Sequence, residues 1–257
     1  MNSALFVHMP AHLLEGRLSF LLNRKLQPEI ACQEVSIDQL DFDQLQKCTA
    51  ALAERQLGTT LHAPFIGFNP GSSRRKIRRE SQEMARKAFH LANIIRAQKI
   101  VFHPALPIDS SFKQIDAWLG QSLTFWPEFI PLAEASNCCI CIENIYESTP
   151  EPLLQLCQEM NSDFFGHCFD IGHWNIFGKV ELETWLNQAA PWLKHLHLHD
   201  NYGKQDEHLP VGHGYASFTT LFNWLKANGR NLTYTLEAHN LPDLDSSLAA
   251  LEHYLSK

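Results

Sequence analysis

Six short apolar runs in this chain each end on a side chain able to bind a metal, and they follow one another in order along its length. They are Leu61-His62-Ala63-Pro64, Val101-Phe102-His103-Pro104, Cys141-Ile142-Glu143-Asn144, Phe169-Asp170-Ile171-Gly172-His173, His195-Leu196-His197-Leu198-His199-Asp200 and Leu236-Glu237-Ala238-His239. Successive clusters lie about 25 to 40 residues apart, roughly one strand and one crossover helix. Side chains at the C-terminal ends of successive parallel strands converge at the mouth of a closed barrel. The pattern therefore constrains fold and site together.

Strand-like runs are predicted at Ala4–Met9, Glu29–Val35, Thr59–Ala63, Lys99–His103, Cys138–Ile142, Phe164–Phe169, His195–His199 and Thr233–Leu236. Short apolar runs separated by longer stretches are the mark of a parallel sheet with crossover helices. The clearest helix carries Ile77, Met84, Ala88, Leu91, Ala92 and Ile95 at helical spacing. Leu119–Ala135 has similar spacing but holds Pro127 and Pro131, which predicts a kink or two short helices. Further helices are expected at Pro152–Met160, Glu181–Ala190, Phe218–Asn228 and Leu244–Tyr254. With 257 residues, no repeat and no linker, the chain reads as α/β, a single (β/α)8 TIM barrel, one domain over residues 1–257.

Strand alternation makes a specific statement about the seventh strand. His195, His197 and His199 share one face, and Leu196 and Leu198 share the other. If the leucines pack on the helices, the histidines point into the barrel, as do Thr235 and Glu237 on the eighth strand. A polar interior is costly unless its groups are paired or bound to metal.

The net charge of −7 argues against a surface built to bind nucleic acid, which needs a basic face. No apolar run approaches the roughly 18 residues of a membrane span. The N-terminus has no basic stretch before its apolar residues, so no signal peptide is expected. The seven cysteines are odd in number and irregularly spaced, which suggests small buried residues in a reducing cytoplasm. Cys138 and Cys141 form a C-x-x-C pair, but three apart on a strand they face opposite ways and are not expected to share a metal.

The order His62, His103, Glu143, Asp170-x-x-His173, His197-x-x-Asp200, Asp206-x-His208, Glu237 resembles the xylose-isomerase-like barrels. That superfamily includes sugar and sugar-phosphate isomerases and epimerases as well as endonuclease IV-like enzymes (AP endonuclease family 2). The resemblance covers about residues 59–240. It implies that a single metal would sit on Glu143, Asp170, His197 and Glu237, with the two glutamates also trading protons with substrate. A trinuclear zinc site of the endonuclease IV type would use His62, His103, Glu143, Asp170, His173, His197, Asp206, His208 and Glu237. The loop Asp206-Glu207-His208-Leu209-Pro210-Val211-Gly212-His213-Gly214 resembles the one after strand seven in both branches, with His213 where a glutamate is common.

Two enzymatic readings follow. In the first, a divalent cation (zinc or manganese) polarises a substrate oxygen while Glu143 and Glu237 act as acid and base and His173 contacts substrate. The chain would then be an isomerase or epimerase of a sugar, sugar phosphate or related polyol. In the second, up to three zinc ions activate water for phosphodiester hydrolysis, with the acidic charge favouring a small substrate over DNA. A barrel that only binds a ligand is the non-enzymatic alternative. Further candidate substrate contacts are His8, Phe65, Arg74, Trp174 and His199. Phe68 and Phe177 are weaker candidates for the pocket wall. Arg74, Arg75, Lys76, Arg78 and Arg79 form the main basic run, either a solvated helix face or, at a helix start, a phosphate cradle. His199 and Asp200 could orient His197 or pair with each other at the strand end. His12, His90, His167 and His253 read as ordinary structural histidines.

Overall fold

The computed structural model describes residues 5–33, 36–229 and 232–256. Eight parallel strands run in sequence order around a closed barrel: β1 (Leu5–Pro10), β2 (Gln27–Ala31), β3 (Thr60–His62), β4 (Lys99–Phe102), β5 (Cys139–Glu143), β6 (Phe165–Asp170), β7 (Leu193–Leu198) and β8 (Thr233–Leu236). Closure is made by β8 pairing with β1, Phe6 opposite Thr235. The outer layer consists of α1 (Leu14–Arg24), α2 (Phe42–Glu54), α3 (Arg75–Ile95), α4 (Phe112–Phe125), α5 (Ile130–Ser136), α6 (Glu151–Met160), α7 (Ile171–Phe177), α8 (Leu182–Ala189), α9 (Phe218–Ala227) and α10 (Leu241–Ser256).

All eight predicted strands are present. Ala4, at the head of the first predicted run, and Glu34 and Val35, at the end of the second, lie outside the described residues. The pleat sorts side chains as alternation requires. Leu61, Ile100, Ile140, Leu196, Leu198, Tyr234 and Leu236 join the apolar core between sheet and helices. Val101, Cys141 and Cys168 form a separate small cluster inside the barrel. Cys138 belongs to the outer core and Cys141 to the inner cluster, so the C-x-x-C thiols sit on opposite faces of the sheet. All seven cysteines are free. Among the described residues no helix is long and apolar enough to cross a membrane.

The stretch 119–135 breaks where its prolines require. α4 ends at Phe125, a 3-10 turn covers Trp126–Glu128, and α5 restarts with Pro131 in its first turn, where a missing N–H costs no hydrogen bond. α1, α2 and α7 were not predicted. α1 buries only Leu14 and Leu21 and carries Gly16, so its periodicity is weak. α7 begins directly after β6, with Asp170 as its N-cap accepting from the His173 N–H at 2.7 Å. His167 is satisfied on the outer face. Its Nδ1–H donates to the Ile142 carbonyl at 2.9 Å, and the Trp185 indole donates to Nε2 at 3.4 Å.

Glu147, in the loop after β5, is buried and accepts from the Ile145 N–H at 2.7 Å, while its Oε1 has no partner among the described residues. Burial pushes its carboxyl up from 4.5 to about 7. The unfolded chain therefore gives up its proton first as pH rises. This group's contribution is complete below about pH 4.5, falls through pH 7 and is roughly 3 kcal/mol smaller above it. Glu147→Gln removes the charge. Its melting temperature should match the parent at pH 4.5 and exceed it increasingly up to pH 8. A difference that does not change with pH would contradict this account.

Candidate metal centre

The strand ends bring the nine acids and imidazoles together in three adjoining cages at the C-terminal mouth of the barrel. In the first, His62 Nε2 and His103 Nε2 each lie 3.3 Å from Glu143 Oε2. In the second, His197 Nδ1 lies 3.1 Å from Glu143 Oε1, 3.2 Å from Glu237 Oε1 and 3.9 Å from Asp170 Oδ2. In the third, His173 Nε2 and His208 Nε2 lie 3.4 and 3.1 Å from Asp206 Oδ2. Glu143 links the first two cages, since its two oxygens face different histidines. It also approaches the third, with Oε1 3.4 Å from His173 Nδ1.

The hydrogen bonds on the far side of these rings test whether the set fits a cation. His62 Nδ1–H donates to the Ala63 carbonyl at 3.0 Å, and His173 Nδ1–H to the Asn144 carbonyl at 3.0 Å. His208 Nδ1–H reaches the Glu237 carbonyl at 3.3 Å. A carbonyl only accepts, so in each neutral ring the other nitrogen presents a lone pair toward a carboxylate oxygen. Two lone pairs at such distances repel. Each ring must carry a second proton or share the gap with a cation, and pinning the distal N–H in this way is what metal-bound histidines do. Glu143 Oε2, moreover, is buried with no hydrogen-bond partner among the described residues. The donor set, imidazole nitrogens with carboxylate oxygens, suits zinc or manganese. The residues present fit a divalent metal.

The electrostatics run the same way. Burial would raise the Glu143 carboxyl, but the facing imidazoles of His197, His103 and His173 hold it well below the usual range. Burial likewise opposes ionisation of Glu237, yet His197, His208 and His199 bring it down to about 2. Burial disfavours charge on His208, but Asp206 and Glu237 raise it to about 9.

Of the nine positions, all but the fully buried Asp170 and His197 open onto one cavity of about 580 Å³. His8 and Phe65 also line it, and Phe65 stacks flat on His103 at 4.3 Å. His8 is brought down to about 4, with burial the largest cause, so it is neutral at pH 7.

The other expected contacts lie elsewhere. Arg74 is the exposed N-cap residue of α3 and does not reach the cavity. Arg75, Arg78 and Arg79 border a separate groove between α3 and α4. Trp174 donates its indole N–H to the Val180 carbonyl at 3.0 Å, and Phe177 packs edge-on against Tyr146. Both serve loop packing. Phe68 is in the outer core with Phe102, Phe125 and Trp126.

His199 is buried beside the third cage, stacked on His208 at 4.0 Å, with Nε2 3.1 Å from each oxygen of Asp170. A Cβ at Gly172 would fall 2.1 Å from its ring, so only glycine leaves His199 this place. Asp200 does not touch His197 either. It accepts from the backbone N–H groups of Asn201, Gly214 and Ala216 at 2.8, 2.7 and 2.9 Å, tying down the loop that carries Asp206 and His208. The group that does grip His197 from behind is Glu29, with Oε1 3.0 Å from Nε2. Sequence reasoning passed over it because it opens a run read as apolar. A lone carboxylate inside a buried strand was the available signal. His239, stacked on His208 at 4.4 Å at the cavity wall, was likewise not assigned a role.

Three comparisons place this barrel among known proteins. An uncharacterised protein of Methanocaldococcus jannaschii, MJ1311, is 30% identical over 202 residues, 76% of this chain and 69% of that protein. A D-tagatose 3-epimerase-like protein has the same fold with a TM-score of 0.82 at 24% identity, covering 98% of this chain and 97% of the other. The TTHB071 protein of Thermus thermophilus, from a zinc chloride soak, gives 0.83 at 22% identity with 98% of both chains covered. A model of one family matches residues 29–255, from within β2 to within α10. The chain belongs to the xylose isomerase-like TIM barrel family.

Proposed function

We propose that this chain is a divalent-metal-dependent isomerase or epimerase of a sugar, sugar phosphate or related polyol. The observation that carries the reading is His197 Nδ1 set among Glu143, Glu237 and Asp170 at the floor of the cavity. A cation held by these four residues would supply Lewis-acid polarisation of a substrate oxygen. Glu143 ends β5 and Glu237 follows β8, strands that are not neighbours in the barrel, so the two carboxyl groups approach a bound molecule from different sides. One carboxylate takes the proton from the carbon beside a carbonyl, and the other carboxyl returns a proton. In the reverse direction the roles exchange. His173, at the cavity wall, hydrogen-bonds a substrate hydroxyl. A cavity of about 580 Å³ has the scale of a small-molecule site. Likeness to a D-tagatose 3-epimerase-like protein supports a sugar as the substrate class.

A second reading, a zinc phosphodiester hydrolase, is favoured by the first and third cages, which an isomerase with one metal leaves without a task. The net charge of −7, with Arg17 as the only lysine or arginine among the residues lining the cavity, speaks against DNA as its substrate. Two measurements separate the readings. Mass spectrometry of the purified protein should give one metal per chain for the isomerase, and two or three zinc ions for the hydrolase. Ketoses and their phosphates incubated with the enzyme in D2O should gain carbon-bound deuterium, seen by proton NMR. Cleavage of a small phosphodiester with no deuterium incorporated would overturn the first reading in favour of the second.

A further inference from the structure

Below the cages the barrel interior holds a second polar layer that no ligand position accounts for. Glu29, Thr60, His195 and Thr235 are all fully buried there. Glu29 Oε2 accepts from Thr60 Oγ1 at 2.9 Å and Thr235 Oγ1 at 3.0 Å, and lies 3.1 Å from His195 Nε2. Its other oxygen lies 3.0 Å from His197 Nε2, and both of these buried atoms lack a hydrogen-bond partner among the described residues. A carboxylate buried this deeply is costly, and Val101, Cys141 and Cys168 show that the same interior accepts small, weakly polar side chains.

The direction of the hydrogen bonds can be derived. The Lys99 ammonium has no acceptor, so at 2.5 Å it donates to Thr233 Oγ1. Thr233 Oγ1 also lies 2.6 Å from His195 Nδ1, to which its hydroxyl can donate. With its proton on Nε2, a neutral His195 faces Thr235 Oγ1 at 2.9 Å and Glu29 Oε2 at 3.1 Å, both of which accept. Glu29 is an acceptor throughout, and its remaining oxygen, at an ion-pair distance of 3.0 Å, favours a proton on His197 Nε2. That leaves the His197 Nδ1 lone pair directed at the Glu143, Glu237 and Asp170 oxygens.

We propose that Glu29 is a positioning residue: it fixes His197 with the proton on Nε2 and the lone pair on Nδ1, and so sets the affinity of the central cage for a divalent metal. The inference rests on the metal-binding part of the function proposed above, but not on the reaction. Outer carboxylates of this kind are worth about 10- to 100-fold in metal affinity. In Glu29→Gln an amide N–H can face His197, and the preferred tautomer is lost.

The test is calorimetric titration of the metal-stripped full chain with zinc, with thermal unfolding run alongside. Glu29→Gln that stays folded should bind zinc about 10- to 100-fold more weakly, and Thr60→Val, which loses a bond to the far oxygen only, should stay within about threefold of the parent. Equal affinity in parent and folded Glu29→Gln overturns the role of Glu29. Absence of zinc binding by the parent overturns the metal reading itself. Should Glu29→Gln fail to fold, the unsubstituted protein still decides. In its zinc-loaded, 15N-histidine-labelled form, the His197 signal, identified by its loss in His197→Gln, should report a proton on Nε2. A proton on Nδ1 overturns the proposal.

Discussion

Glu143→Ala is expected to strip most divalent metal from the purified protein and to lower turnover by at least about a thousandfold. This side chain joins two of the cages. Its two oxygens face His62 and His103 on one side and His197 and His173 on the other. Its removal takes an anionic donor from two cages and leaves four imidazoles around a hole. In the isomerase reading it removes an acid–base group as well, so two independent losses multiply. Metal content by mass spectrometry, with parent and variant purified side by side, is the direct check. A variant that keeps the parent's full metal complement would mean that Glu143 is not a ligand. His197→Ala should act in the same direction on metal content, since it supplies the nitrogen at the centre of the middle cage.

Trp126→Ala should cost about 3–5 kcal/mol of folding stability, read from urea unfolding midpoints. Trp126 is fully buried and sits in the 3-10 turn that the two prolines create between α4 and α5. Its ring lies 5.2 Å from Phe102, 5.0 Å from Phe125 and 5.5 Å from Phe165, so it knits β4 and β6 to the helical layer. Trp126→Phe should cost less than about 1.5 kcal/mol, because much of the volume remains. The indole N–H also has no acceptor among the described residues, so losing it forfeits no bond there. Equal costs for the two substitutions would argue against a packing role.

The barrel was legible because β7 and β8 alternate without interruption. In β7, Leu196 and Leu198 go to the core, and His195 and His197 to the interior. What was not legible depends on contacts between strands distant in sequence. Glu29 gains meaning only when β2, β7 and β8 close into one ring, because its partners lie more than a hundred residues away or on β3. Arg74 and Trp174 follow strands that point at the site, as Phe65 does, yet the chain turns away before either can face it. Loop direction is set by local hydrogen bonds such as Trp174 to Val180, and residue spacing does not encode it. The helix α2 was legible and passed over: Leu45, Cys48, Thr49 and Leu52 recur at helical spacing behind the N-cap Asp41.

The cavity has walls of two different origins. The metal-facing side is made by strand ends together with His173 of α7 and the loop of Asp206 and His208, while the rest includes Leu13, Arg17 and Phe20 after β1 and Leu241 and Leu244 from α10. None of these five residues belongs to a strand pairing or to a cage. Under the proposed function, substrate preference can therefore drift at these helix positions while the metal-facing residues stay as they are.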